Sequence, residues 1–371
     1  MLKKFSVKNF KNFREEITID FSDIGDYDFN TSLIKNSLLN NVLIYGKNAV
    51  GKSNLGLALF DITIHVVDKI NLASSDYSNY INADNPNEPA TFSYTFQFAE
   101  QVIEYTYQKL DKDTMYSECL TIDGTNIFDY NFQYENNSPI VQSNPELATL
   151  NWEFKDHSLS ILKYIANNSN LSQESPIRLL INFISSMIWL SSPGPQATKI
   201  IGLLSKTSPV TTKLIEENRV PEFQTFLNQN GVPDKLVVKT DVTGEKAIYI
   251  DYKKPVKFID AFSSGTASLT AIFYLSLYFE DASFVFIDEF DANYHFEVAE
   301  NIVKLLQNKN FQSVLTSHNT NLMSNNIMRP DCYLILMKEG LTPFFRATER
   351  ELREGHNLEK LYQSGEFEND R

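Results

Sequence analysis

One segment constrains this chain more than any other: Asn41-Val-Leu-Ile-Tyr-Gly-Lys-Asn-Ala-Val-Gly-Lys-Ser-Asn-Leu55. Val42 to Tyr45 is an apolar run with the character of a buried strand, and the pattern turns amphipathic from Leu55 to Val67, as a helix would. Between them, Gly46-Lys47-Asn48-Ala49-Val50-Gly51-Lys52-Ser53 reads G-x-x-x-x-G-K-S, in the strand–loop–helix setting that this motif requires. Glycines let the backbone wrap tightly enough for its N–H groups to face phosphate oxygens, and the helix N-terminus adds partial positive charge. Gly46 to Asn54 is therefore the candidate nucleotide cradle. Lys52 is placed to reach the β- and γ-phosphates, and the Ser53 hydroxyl to hold Mg²⁺.

Length and charge narrow the remaining possibilities. At 371 residues the chain is long enough for two domains or one large elaborated one. Hydrophobic residues make up 42% and charged residues 22%, an ordinary globular composition. A net charge of −14 argues against a surface that coats nucleic acid through phosphate neutralisation, although it leaves a local basic groove open. Lys3, Lys4, Lys8, Lys11 and Arg14, and later Lys253, Lys254 and Lys257, read as solvated faces. Cys119 and Cys332 form no disulfide framework and no metal set, which fits a reducing cytosol. No apolar stretch follows the charged start, and the greasiest segment, Leu179 to Leu190, is too short to span a bilayer. The expectation is a soluble, cytoplasmic protein without membrane partners.

In chain order, Phe5, Val7 and Phe10, then Ile17, Ile19 and Phe21, alternate as a hairpin leading towards the phosphate-loop strand. Residues 54–70 form a helix, and Asn71 to Pro89 is irregular. A period of two from Phe92 to Ile122, ending at Asp123-Gly124, predicts antiparallel strands. Helical patterns follow at Leu159–Ala166, Pro176–Leu190, Ala197–Leu204, Thr211–Glu217 and Pro221–Asn228. Leu236–Val238 and Ala247–Tyr252 read as strands about a turn at Thr243-Gly244-Glu245, and Leu269–Phe279 as a helix. A strand at Phe284–Ile287, a helix at Glu297–Gln307, a strand at Ser313–Thr316 and a charged amphipathic helix at Glu349–Ser364 complete the reading. The implied domains are an N-terminal lobe (1–124), a mainly helical insertion (125–234), a C-terminal lobe (235–345) and a terminal helix and tail (346–371).

Three further motifs bear on chemistry. Phe284-Val-Phe-Ile-Asp288-Glu289 is an apolar strand that delivers two carboxylates to its C-terminal end, where ligands sit in open α/β sheets. Asp288 is the candidate Mg²⁺ ligand, and Glu289 the group that polarises the attacking water. Ser263, Ser264 and Gly265 precede a helix with the small, hydrogen-bonding residues of an N-cap and anion site. His318 follows the next apolar strand, where a neutral ring nitrogen could sense a γ-phosphate.

Together these motifs resemble the ATP-binding-cassette ATPases of the SMC and RecF kind. Gly46–Ser53 matches Walker A, Phe262–Ser268 the signature, Phe284–Glu289 Walker B, Asp291-Ala-Asn-Tyr-His295 the D-loop, and His318 the switch histidine. More narrowly, Phe10-Lys-Asn-Phe-Arg14, the run from Ile287 to His295 and the tail Leu352–Gly365 resemble the AAA-type ATPases of bacterial abortive-infection systems. The signature reads Ser-Gly-Thr-Ala without the usual second glycine, and Phe296 stands where a proline often follows the D-loop. Gln97, Gln101 and Gln108 all compete for the glutamine that completes the Mg²⁺ site.

The resemblance implies an α/β fold: an ABC-type P-loop ATPase head with a mixed sheet flanked by helices, an antiparallel β subdomain and a helical insertion. It implies ATP and Mg²⁺ as ligands, slow ATP hydrolysis, and a head-to-head homodimer in which Ser264 and Gly265 complete a partner's site. Three rivals are weaker. Val238-Lys239-Thr240-Asp241 echoes a guanine-reading motif but lacks its first residue. A RecF-like DNA-binding ATPase of repair or restriction shares the head motifs, against the acidic balance. A fused nuclease needs an Asp-x-Asp with an upstream Glu after the ATPase motifs, and none follows. The expected function is a regulatory ATPase that controls a separate effector, toxin or nuclease, in anti-phage defence.

Overall fold

The computed structural model describes residues 1–67, 78–133, 140–141, 144–152, 158–191, 199–202, 210–240, 244–261 and 263–367. The N-terminal part runs β1 (Leu2–Lys8), β2 (Ile17–Asp20), β3 (Asn41–Tyr45) and α1 (Lys52–Val67). An alternating stretch then gives β4 (Ala90–Phe98), β5 (Gln101–Lys109), β6 (Met115–Ile122) and β7 (Thr125–Asn131). Next come α2 (Ile161–Asn168), α3 (Pro176–Ser185), β8 (Met187–Ser191), β9 (Lys199–Gly202), α4 (Val210–Glu216) and α5 (Val220–Gln229). The small strands β10 (Leu236–Thr240), β11 (Lys246–Ile250) and β12 (Val256–Lys257) lead to α6 (Ser264–Ser276) and β13 (Phe284–Asp288). The chain closes with α7 (Phe296–Gln307), β14 (Gln312–Thr316), β15 (Tyr333–Leu336), β16 (Leu341–Pro343) and α8 (Leu358–Gln363).

Two large sheets organise these elements. The central one has the order β9-β8-β13-β14-β3-β15-β16, parallel throughout except at its two edge pairs. Its inner strands β3, β13 and β14 are buried at every residue, as continuous apolar runs covered on both faces must be. The second sheet is antiparallel, with β7-β6-β5-β4-β1-β2 in order and a two-residue strand at Ile140–Val141 on its outer edge. Its alternation is visible in β4, where Phe92, Tyr94 and Phe96 point inward. A separate three-stranded sheet is ordered β10-β11-β12.

Helix α1 lies between the two large sheets. Phe60 meets Trp189, Phe284 and Phe286 of the central sheet, while the Tyr94 hydroxyl donates to the carbonyls of Ala58 (3.1 Å) and Leu59 (3.2 Å) from the other side. The amphipathic reading of this helix is thereby corrected: nearly every residue from Leu55 to Val66 is buried. A helix covered on both faces has no solvent face to pattern.

Other departures share a physical cause. Met187–Ser191 and Lys199–Gly202 are strands, not the ends of helices predicted at Pro176–Leu190 and Ala197–Leu204; residues 197–198 and 203–204 lie outside the described set. Met187 to Leu190 is apolar without a break, and such a run has no period to separate a buried strand from a helix. Hydrogen bonding to β13 in parallel register decides it. The terminal helix spans only Leu358–Gln363, capped by the Asn357 side chain accepting from Lys360 N, rather than Glu349–Ser364. Strands β15 and β16 were not foreseen. Thr243 of the predicted turn lies outside the described residues.

A buried polar network ties α1 to the antiparallel sheet. Asp61 accepts from Lys109 Nζ (2.9 Å), the Tyr107 hydroxyl (3.0 Å) and the Tyr80 hydroxyl (3.0 Å). One turn on, His65 Nε2 lies 2.7 Å from the Tyr105 hydroxyl, which donates to Glu118 at 2.8 Å. Because the Tyr105 proton goes to Glu118, Nε2 carries the hydrogen of the neutral ring. Glu118 also accepts from Ser160 Oγ, Ile161 N and Leu162 N, so it caps α2. Burial holds the His65 imidazole well below its ordinary range, with Lys109 and Lys163 adding to the effect. Unfolding frees the ring to titrate near pH 6.5, so stability falls as pH drops below that value, by up to about 1.4 kcal/mol per pH unit. Above it this group adds no slope. The His65→Gln variant is therefore expected to lose less stability than wild type between pH 7.5 and 5.5, read from urea midpoints. Identical pH dependence in the two proteins would contradict this.

Candidate nucleotide site

The sheet order places three strand ends side by side. In register, Thr316 of β14 stands beside Ile44 of β3, and Leu315 beside Ile287 of β13. The phosphate loop, the acid pair and the Thr316-Ser317-His318 turn thus emerge at one C-terminal edge, with the histidine strand between the other two. This is the position at which parallel sheets bind ligands.

In the loop, Ala49 (φ 64°) and Gly51 (φ 110°) take left-handed backbone conformations, which turn successive N–H groups towards one concavity. At Gly51 the positive φ favours glycine, and the Asn12 amide packs against the position where a Cβ would stand. Asn12 donates to Val50 O (2.9 Å) and accepts from Asn54 Nδ2 (2.6 Å), which clasps the loop to the turn after β1. Lys52 Nζ is buried and donates to Gly46 O (2.8 Å) and Lys47 O (3.2 Å). Burial lowers the pKa of this ammonium, and the carboxylates of Glu289 and Asp288 oppose the shift. The lysine is therefore within the electrostatic reach of both acids.

At the acid strand, Asp288 is 2% exposed and accepts from Thr316 Oγ1 at 2.7 Å. The same hydroxyl oxygen accepts from Glu289 N at 2.7 Å, while Phe290 N donates to Thr316 O. These bonds hold Glu289 at φ 47°, a left-handed conformation that a non-glycine residue keeps only when its surroundings impose it. The Glu289 side chain is turned outward, and its Oε1 lies 4.0 Å from His318 Nε2. Burial and the Lys52 charge lower the His318 pKa, against the pull of Glu289 and Asp288. The ring is thus neutral at pH 7. Next to it, Ser317 Oγ donates to buried Asp291 at 2.6 Å, and burial raises the pKa of that acid.

A cleft of about 320 Å³ gathers Asn48, Ala49, Gly51, Lys52, Ser53 and Asn54 with Glu289, His318 and Asn12. Gly46, Lys47 and Val50 line a second cleft on the other side of the loop, against Ile335–Glu339. The candidate signature residues are elsewhere: Ser263, Ser264 and Gly265 line neither cleft. Ser263 Oγ caps α6 by accepting from Thr266 N (3.2 Å), and a Cβ on Gly265 would meet Asn293 O at 2.8 Å. The signature turn is therefore packed on the Asp291–His295 segment; Phe262 lies outside the described residues. Gln97, Gln101 and Gln108 sit in the antiparallel sheet away from the cleft, Gln97 and Gln108 bonded to Ala99 O and Thr91 Oγ1. Val238–Thr240 belongs to β10 and contributes nothing to it, and Asp241 lies outside the described residues. Asn12 and Thr316 were missed as functional candidates. Thr316 could have been found as a hydroxyl at a strand end beside the histidine; no local signal marks Asn12.

The donor set suits a magnesium-bound polyphosphate. Ser53 lines the cleft, while Asp288, buried at the strand end beside Thr316, lines neither cleft; both carry hard oxygens, and Mg²⁺ takes few protein ligands while retaining water. Among the described residues, no group of three or more His, Cys, Asp or Glu is placed to hold a metal. No helix among them is long and apolar enough to cross a membrane.

The Smc head bound to the C-terminal winged-helix domain of ScpA is similar at 16% identity and a TM-score of 0.43, covering 92% of this chain and 96% of that one. The Pyrococcus furiosus Smc head with an extended coiled coil, bound to the C-terminal domain of ScpA, gives 12% and 0.47, with 92% and 95% covered. The recombination mediator RecF with ATP gives 14% and 0.41, with 91% and 97% covered. No curated protein matches the chain in sequence. The sequence model of the family described as "AAA domain, putative AbiEii toxin, Type IV TA system" matches residues 42–324, from the phosphate-loop strand past His318, and the chain belongs to that family.

Proposed function

We propose that the protein binds and hydrolyses ATP at the cleft between Lys52 and Glu289, and that nucleotide-dependent pairing of two copies controls a separate effector in anti-phage defence. The observation that carries this reading is the convergence in one cleft of a buried ammonium, an outward-turned carboxylate and a neutral histidine. Ser53 and Asp288 would hold Mg²⁺, which would supply positive charge to offset that of the phosphates. Gly46 to Asn54 wraps the phosphates with backbone N–H groups, and Lys52 leaves its two carbonyl partners to meet their negative charge. Thr316 fixes the rotamer of Asp288 and the backbone of Glu289 together. Glu289 orients and polarises the attacking water, and His318, uncharged, accepts or donates a hydrogen bond at the terminal phosphate.

Ser263, Ser264 and Gly265 act in trans in this reading, which fits their absence from the cleft of their own chain. The family description names a type IV toxin–antitoxin system, a two-component arrangement that fits a separate toxin partner. In the Glu289→Gln variant, light scattering is expected to show twice the monomer mass with MgATP and the monomer mass without it, with Ser264→Arg abolishing the doubling. The same mass under both conditions would rule out nucleotide-driven pairing.

A further inference from the structure

A second site lies far along the chain from the nucleotide cleft, where α4 and α5 face β10. The cavity there measures about 830 Å³, within the range of pockets that hold ligands. Its walls include Ile215, Val220, Leu236 and Val238, with Lys235 and Lys246 at the rim. Three observations converge on it.

The first is an uncovered inward residue. Leu236 and Val238 lie opposite Ile250 and Ile248 in the antiparallel register, so all four share the inner face of the hairpin. Leu236, Ile248 and Ile250 are 8%, 2% and 4% exposed, yet Val238 is 42% exposed. Among the described residues, an apolar side chain on the packed face is therefore left partly uncovered. The second is the strand edge. Among the described residues β10 pairs with β11 alone; on its other edge Leu236 N donates to Gln224 Oε1 (2.6 Å), and the edge from Val238 onward is open to backbone hydrogen bonding. The third is charge. The chain carries 47 acidic and 33 basic side chains, yet Lys235 and Lys246 line this cavity and no carboxylate does; Lys235 is paired with Asp251 at 2.9 Å, which leaves Lys246 as the cationic group of the lining. Lys239, also on β10, is exposed beside them.

We propose that β10 and the adjoining cavity dock an extended, acidic segment of a partner protein by strand addition, with one apolar side chain seated on Val238 and flanking carboxylates on Lys239 and Lys246. An open edge selects a polypeptide, because only another backbone satisfies its N–H and C=O groups in register. Lysines along that edge repel basic strands and accept acidic ones, which makes the docking selective. The site needs no nucleotide and stands independently of the ATPase reading.

The test uses the full chain and a fluorescein-labelled peptide of about nine residues alternating valine with glutamate, long enough to span β10 at about 3.4 Å per residue. Anisotropy should show saturable binding that weakens with salt, and hydrogen exchange should show slower amides at residues 236–240. Val238→Asp and the surface change Lys246→Glu should each weaken binding by at least about tenfold, with circular dichroism confirming that both variants are folded. No saturable binding by the folded wild type would overturn the proposal. So would equal binding of a valine–lysine peptide or of a short single-stranded DNA, or binding unchanged in both variants.

Discussion

Replacing Glu289 with glutamine is expected to lower steady-state ATP turnover by about 100- to 10,000-fold, the range attributed to a positioned general base. Glutamine has nearly the same shape and preserves the backbone bond from residue 289 N to Thr316 Oγ1 that sets the left-handed turn. The loss should therefore fall on the chemical step, with nucleotide affinity nearly unchanged. Phosphate release measured beside nucleotide binding separates the two. Turnover within about tenfold of wild type would mean that Glu289 is not the base, and Asp291 would be the next acid to test.

The largest stability effect is expected at Lys109. Its side chain is 3% exposed and its Nζ lies 2.9 Å from Asp61, itself 1% exposed, on the helix that begins with Lys52. Lys109→Met leaves a buried carboxylate with only the Tyr80 and Tyr107 hydroxyls as donors, at a cost of about 3–5 kcal/mol. Changing Asp61→Leu at the same time should restore most of that loss, because the pair then vanishes without leaving a charge. Denaturant midpoints decide the matter; a loss under about 1 kcal/mol for the single change would show that the ion pair is not what joins α1 to the antiparallel sheet.

How much of this was legible in advance depended on range. The strand–loop–helix around Gly46–Ser53, the acid-tipped strand and the antiparallel run from Phe92 were readable because each is a local pattern with a period or a motif. Met187–Ser191 was misread because burial on both faces removes periodicity, and the pairing partner that identifies it lies at Phe284–Asp288. Helix α1 looked amphipathic because no local rule announces a second sheet on its far side. At the site, Lys52, Ser53, Glu289 and His318 each sit in a local motif, and strand order brings their turns to one cleft. Asn12 was not legible: its contact with Val50 and Asn54 is set by how two sheets pack, not by its own neighbours in sequence. The left-handed backbone at Glu289 was equally invisible, since glutamate gives no hint of a positive φ.

Underneath these details lies a single assertion, that an ammonium and a carboxylate pair drawn from distant parts of the chain face the same triphosphate. Titration calorimetry of the wild-type chain with MgATP, beside the Lys52→Ala variant, examines it without depending on any partner. Saturable uptake by the wild type that disappears in a folded Lys52→Ala protein is the predicted outcome. A folded wild type that takes up no MgATP, or a Lys52→Ala protein that binds as well as the parent, would contradict it.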